Sequence, residues 1–212
     1  MEDQLNFIKS WLGTGSINVF GMPMSGKDTV GVRLAEALGA KFLGSGIIIR
    51  AMEEATQQHI TGNGKLTPQN VFYDWVLPYF EKPELAPFPL VLSSIGRWYG
   101  EENQVMSVAE ASGHPIRAVV MLQLSEEDAV GRWEAAKLLN DRGLRPDDAD
   151  PKIFQTRLNE YREKTVPVLQ HYQDLGLLVP AKANASRDQV FANVVEAVAN
   201  FAHRAGNLTS EL

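Results

Sequence analysis

No cysteine occurs among the 212 residues, which excludes a disulfide framework and any thiolate metal site. The four histidines, His59, His114, His171 and His203, stand apart without ligand spacing, so no structural zinc is expected. Basic excess is missing as well. With a formal net charge of -6 the chain offers no general cationic surface to nucleic acid or anionic lipid, and any cationic site must be local. No apolar run approaches membrane-spanning length, and Met1-Glu2-Asp3-Gln4 carries no basic n-region. The expectation is a cytoplasmic, soluble monomer that touches neither membrane nor nucleic acid. Low-complexity linkers and internal repeats are also absent, and 44% of the residues are hydrophobic, so residues 1–212 read as one compact unit with elaborations.

What is present alternates. Residues 3–12 carry Leu5, Phe7, Ile8, Trp11 and Leu12 at helical spacing, and Gly13-Thr14-Gly15-Ser16 then turns the chain. Ile17 to Phe20 is a short β-branched and aromatic run, followed by a glycine-bearing loop and a helical pattern through Val30, Leu34 and Leu38. Further buried-type strands are predicted at 41–44, 89–94, 116–124 and 177–181. Helical sequence dominates 50–89, with a break at Thr61-Gly62-Asn63-Gly64, and longer helices are predicted over 151–175 and 187–203. Such alternation predicts a parallel five-stranded sheet covered by helices, an α/β fold of three layers. Two segments interrupt it, residues 45–85 and a shorter one at 138–152 that is rich in Gly, Pro and Asp. Both follow strand ends in the chain, where open α/β sheets build their binding crevices.

The loop Gly21-Met22-Pro23-Met24-Ser25-Gly26-Lys27-Asp28-Thr29 joins a strand to a helix. Closely packed negative charge needs many donors, and such a turn supplies backbone N–H groups at a helix N-terminus. Lys27 adds an ammonium group for the outer phosphates, and Thr29 adds a hydroxyl. Asp28 stands where Ser or Thr commonly meets magnesium.

This loop resembles the adenylate kinase form, Gly-x-Pro-Gly-x-Gly-Lys-Gly-Thr, since Pro23 and Thr29 fall where that family has them. The likeness continues in order along residues 17–200. Leu43 to Arg50 resembles the family's Ser-Thr-Gly-Asp-Met-Leu-Arg segment, which implies that Ser45 and Arg50 contact an acceptor monophosphate. Gly64-Lys65-Leu66-Thr67 is similar to the stretch that closes over the acceptor nucleoside. Leu90 to Arg97 resembles the apolar strand ending Asp-Gly-Phe-Pro-Arg, which makes Arg97, next to Ser94, the second acceptor-phosphate arginine. Arg132 resembles the arginine that packs on the donor base and reaches its phosphates. Arg142 to Asp148 and Arg157 to Tyr161 resemble a short lid with Arg145 and Arg157 as catalytic arginines. The chain departs from the family at four places: Met24 and Asp28 replace loop glycines, and Ile47 and Ser93 replace aspartates.

The resemblance implies a P-loop kinase fold with a helical acceptor-binding insertion at 45–85 and a short lid. It implies reversible transfer of the ATP γ-phosphoryl group to a nucleoside monophosphate, AMP foremost, with Mg2+ held mainly through nucleotide phosphates and water. Asp28 is the candidate to replace the missing carboxylate near that ion. For the base, Gln104 both donates and accepts, as adenine requires, whereas Glu101 or Glu102 would accept from guanine; the same residues also suit a solvated acidic turn. Two other functions stay open: a kinase for a metabolite hydroxyl, with Asp28 as base, and a regulatory protein that binds nucleotide with little or no turnover.

Overall fold

The computed structural model describes residues 1–139 and 150–209. Helix α1 (Glu2–Leu12) precedes strand β1 (Ser16–Gly21), helix α2 (Lys27–Leu38) and strand β2 (Lys41–Gly44). Then come α3 (Ser45–Thr56), α4 (Gln69–Trp75), a 3₁₀ turn at Leu77–Glu81 and strand β3 (Leu90–Ser93). The second half runs α5 (Glu101–Ala111), β4 (Ile116–Gln123), α6 (Glu126–Leu139), α7 (Pro151–Glu160), α8 (Val166–Asp174), β5 (Leu178–Lys182) and α9 (Arg187–Thr209). Most of the expected lid, residues 140–149 with Arg142 and Arg145, lies outside the described residues.

The five strands form one sheet in the order β2-β3-β1-β4-β5, with every pairing parallel. Strands covered on both faces bury every position, and β1 and β3 are buried throughout. Side chains alternate between two cores. Ile17, Val19, Val91, Val120 and Leu122 face a layer built on α1, α2 and α9. Phe20, Leu90, Leu92, Val119 and Ile116 face the opposite layer with Ile48, Phe72, Phe80, Val105 and Tyr172. The expected three-layer architecture is therefore the observed one.

The helix expected over 151–175 is observed as one helical run that carries a π turn. A π turn at Tyr161–Thr165 separates α7 from α8. Pro167 explains part of this, because it has no N–H to return to the carbonyl four residues earlier. Among the described residues no helix is long and apolar enough to cross a membrane.

Candidate active site

A cleft of about 400 Å³ opens at the carboxyl ends of β1, β2 and β3, where a sheet of this topology leaves its binding crevice. Five cationic side chains line it, Lys27, Arg50, Lys65, Arg97 and Arg157, against two acidic ones, Asp28 and Glu101. In a chain of net charge -6 these cations form the kind of local positive surface that composition alone could only allow.

The loop after β1 is shaped by close contacts. Gly21 has no room for a Cβ, which would run into the Ser25 side chain, and Gly26 takes φ 82 as α2 begins. Met24 stands at φ 65, so it adopts the left-handed backbone that a glycine would occupy there and keeps a side chain packed beside Trp133, Phe154 and Leu158. Gly21, Pro23, Lys27 and Asp28 line the cleft. Met22, Met24, Ser25, Gly26 and Thr29 complete the turn without lining it, and the Ser25 Oγ is enclosed without a hydrogen-bond partner among the described residues.

The residues expected on the acceptor side line one cleft. Ser45 Oγ donates to the Ser94 carbonyl at 3.0 Å, joining the ends of β2 and β3 where Arg50 and Arg97 enter the cleft. Ser94 holds φ 49, a kink that ends the strand. Leu66 and Thr67 also line the cleft. The Trp98 indole N–H donates to the Thr67 carbonyl at 3.0 Å, and the Leu66 N–H donates to Glu160 at 2.9 Å, so the 61–67 loop is fastened to both the β3–α5 turn and the helix bearing Arg157. Asn18, buried within β1, donates to the Ile95 carbonyl at 2.8 Å and accepts from the Ile95 N–H at 3.3 Å.

Two expected positions, Arg132 and Gln104, do not line this cleft. The Arg132 guanidinium donates to the carbonyls of Met24 at 3.2 Å and Ala183 at 2.5 Å, and does not line the cleft. It ties the phosphate loop to the segment after β5, because three converging carbonyls there outcompete solvent for its fork of donors. Gln104 lies on the exposed side of α5, outside the cleft, while Glu101 is buried and lines it. The reason is local. Gly100 at φ 97 starts α5 at Glu101, and the following turn carries Gln104 outward.

Glu101 Oε2 accepts from the N–H groups of Arg97 at 2.8 Å and Trp98 at 3.0 Å. Burial pushes its carboxyl up to about 7, opposed by those two hydrogen bonds and by Arg97, and reinforced by Glu102. Glu102 itself is met by His171 Nδ1 at 2.7 Å and by the Gly100 N–H at 2.7 Å.

At the loop, Ser93 Oγ donates to Asp28 Oδ1 at 2.5 Å. Asp28 thus lies against the strand end where the resemblance expects an aspartate. Among the described residues no three His, Cys, Asp or Glu side chains could cage an ion. The Asp28 carboxylate and the Ser93 hydroxyl, joined at the cleft, are oxygen groups of the kind that would suit the water shell of a phosphate-bound Mg2+.

No family model matches the sequence. The adenylate kinase of Methylobacterium nodulans is 30% identical over 183 residues, covering 82% of this chain and 91% of the relative. That of Mycobacterium tuberculosis H37Rv is 30% identical over 186 residues, covering 85% and 97%. Among solved structures, a gluconokinase from Sinorhizobium meliloti 1021 matches with a TM-score of 0.57 at 22% identity, covering 94% of this chain and 98% of the other. That likeness concerns the fold alone.

Proposed function

The chain belongs to the adenylate kinase family, and from that premise we propose that this P-loop kinase transfers the γ-phosphoryl group of ATP reversibly to a nucleoside monophosphate, AMP before others. The observation that carries the reading is the cleft in which Lys27 of the phosphate loop shares walls with Arg50, Arg97 and Arg157. Two nucleotide phosphates repel one another, so transfer requires both to be neutralised and the acceptor oxygen to be held in line with the terminal phosphorus.

Lys27 follows the charge on the transferred group. Arg50 and Arg97 hold the acceptor phosphate, and Arg157, with Arg145 from the lid at 138–152, stabilises charge during transfer. Residues 45–85 act as the acceptor clamp and exclude water that would hydrolyse the donor. No general base is demanded, because the acceptor is already an oxyanion. Bound Mg2+ supplies Lewis-acid neutralisation of the phosphate oxygens. Asp28 and Ser93 would hold its water shell.

The second reading, a kinase for a metabolite hydroxyl, draws on the Asp28 carboxylate that lines the cleft next to Lys27. A panel of nucleoside monophosphates and metabolite alcohols with magnesium-ATP separates the two. Diphosphate formed from both nucleotides supports the first, and transfer only to an alcohol supports the second. Binding without turnover would reduce the protein to a nucleotide sensor. Lys27→Ala is expected to lower kcat by about a hundredfold or more at unchanged fold, and near-normal turnover in that variant would sink the assignment.

A further inference from the structure

Glu101, Glu102 and Glu160 are the buried carboxylates among the described residues. Both oxygens of Glu102 are engaged, by His171 and the Gly100 N–H, and both of Glu160, by Lys164 and the Leu66 N–H. Glu101 differs. It is 1% exposed, Oε2 takes two backbone N–H groups, and Oε1 has no hydrogen-bond partner among the described residues. An enclosed carboxylate oxygen left in this way carries a desolvation cost that the Arg97 charge offsets only in part, since no donor reaches Oε1 itself among the described residues.

Its position gives that oxygen a use. Glu101 lines the same cleft as Leu66, Phe72 and Trp98, apolar side chains that suit a flat heterocycle, and as Arg50 and Arg97, which suit the phosphate. We propose that Glu101 selects the base of the acceptor nucleotide through Oε1, and that its protonation state decides which purine is taken. This deepens the nucleoside monophosphate kinase reading and rests on it.

Because Oε2 is committed to two N–H donors, a proton on Glu101 resides on Oε1. The acid then donates to a ring nitrogen that accepts, as in adenine. Once ionised, the same atom only accepts, and it matches a ring N–H, as in hypoxanthine or guanine. The lift of the carboxyl to about 7 puts the exchange within the working range of pH. The charged and titratable groups around it are Arg97 in its own turn, Glu102 with its His171 partner on α8, Tyr73 on α4, and Arg50 and Arg157 across the cleft. Tyr73 is itself pushed up by burial and by the two glutamates, so it stays a neutral neighbour. Below the Glu101 pKa, AMP is preferred. The preference fades as pH rises through it.

The test is the ratio of kcat/KM for AMP to that for IMP, measured from about pH 6 to about pH 8.5. The two acceptors share the same phosphate, whose titration cancels in the ratio. The expected result is a fall of the ratio by about tenfold or more across that range in the unaltered protein, and a nearly flat ratio favouring AMP in Glu101→Gln, whose amide donates at every pH. Calorimetric affinities of AMP and IMP for the unaltered protein at the two ends of the range should shift in the same direction, whether or not the variant folds. A constant ratio with both acceptors turned over overturns this inference alone. Absence of turnover and of binding with either acceptor overturns the kinase reading and the inference together.

Discussion

Asn18 sits in the middle of β1 between Ile17 and Val19, fully buried, and an amide is retained there because it hydrogen-bonds both backbone groups of Ile95. Those groups belong to the turn that leaves β3 and delivers Arg97 two residues later. Replacing Asn18 with alanine leaves a buried N–H and a buried C=O without partners and is expected to cost about 2–4 kcal/mol, measured by urea unfolding. As a positioning residue, Asn18 should also act on kinetics. KM for the acceptor should rise several-fold while KM for ATP stays near its original value, because the phosphate loop does not depend on this amide. Equal loss on both substrates would mean that the whole cleft had collapsed. Nothing in the amino-acid order marked Asn18, since a polar residue in a short strand reads as an outward position until the pairing on both sides is known.

Elements were more legible than the contacts between them. Short apolar runs announced the five strands, with β1 and β3 buried at every position and β5 alternating between buried and less buried ones. Arg50 and Arg97 could be anticipated because each follows a strand end, and chain topology alone carries such residues to the crevice. The carbonyl partners of Arg132 and the outward position of Gln104 could not, since the direction of a helical side chain depends on where the helix starts and on which carbonyls lie nearby. The bond from the Leu66 N–H to Glu160 was equally invisible, joining residues 94 apart in the chain. It closes the 61–67 loop onto α7, where Gly64 at φ 79 has no room for a Cβ beside the Ile153 carbonyl. Glu160→Ala is expected to raise KM for the acceptor by about tenfold with little change in kcat, as one charged hydrogen bond is lost from ground state and transition state alike. An unchanged KM would show that the loop reaches its closed position without this contact.

At the scale of the whole molecule the cleft and the N-terminal helix occupy opposite ends of the sheet. Helix α1 ends at Leu12, which is followed by the turn that enters β1, whereas the phosphate loop leaves the far end of that strand. Ile8 and Leu12 are fully buried in the core shared with α2 and α9, and the Phe7 ring stacks on His203 of α9 with centroids 3.8 Å apart. This places α1 among the packing elements, apart from the substrate-gripping ones. Leu12→Ala removes buried methyl groups from a site hemmed in by two helices and the sheet, so collapse around the gap is limited and the expected cost is about 2–5 kcal/mol. Denaturation should show a lower midpoint at an unchanged slope. Kinetics on the folded fraction should show KM values for ATP and for the acceptor that match the parent, since no wall of the cleft is drawn from α1. If instead KM for either nucleotide rises severalfold while the midpoint hardly moves, α1 is coupled to the cleft through α2, and the division between a packing end and a chemical end of the sheet does not hold.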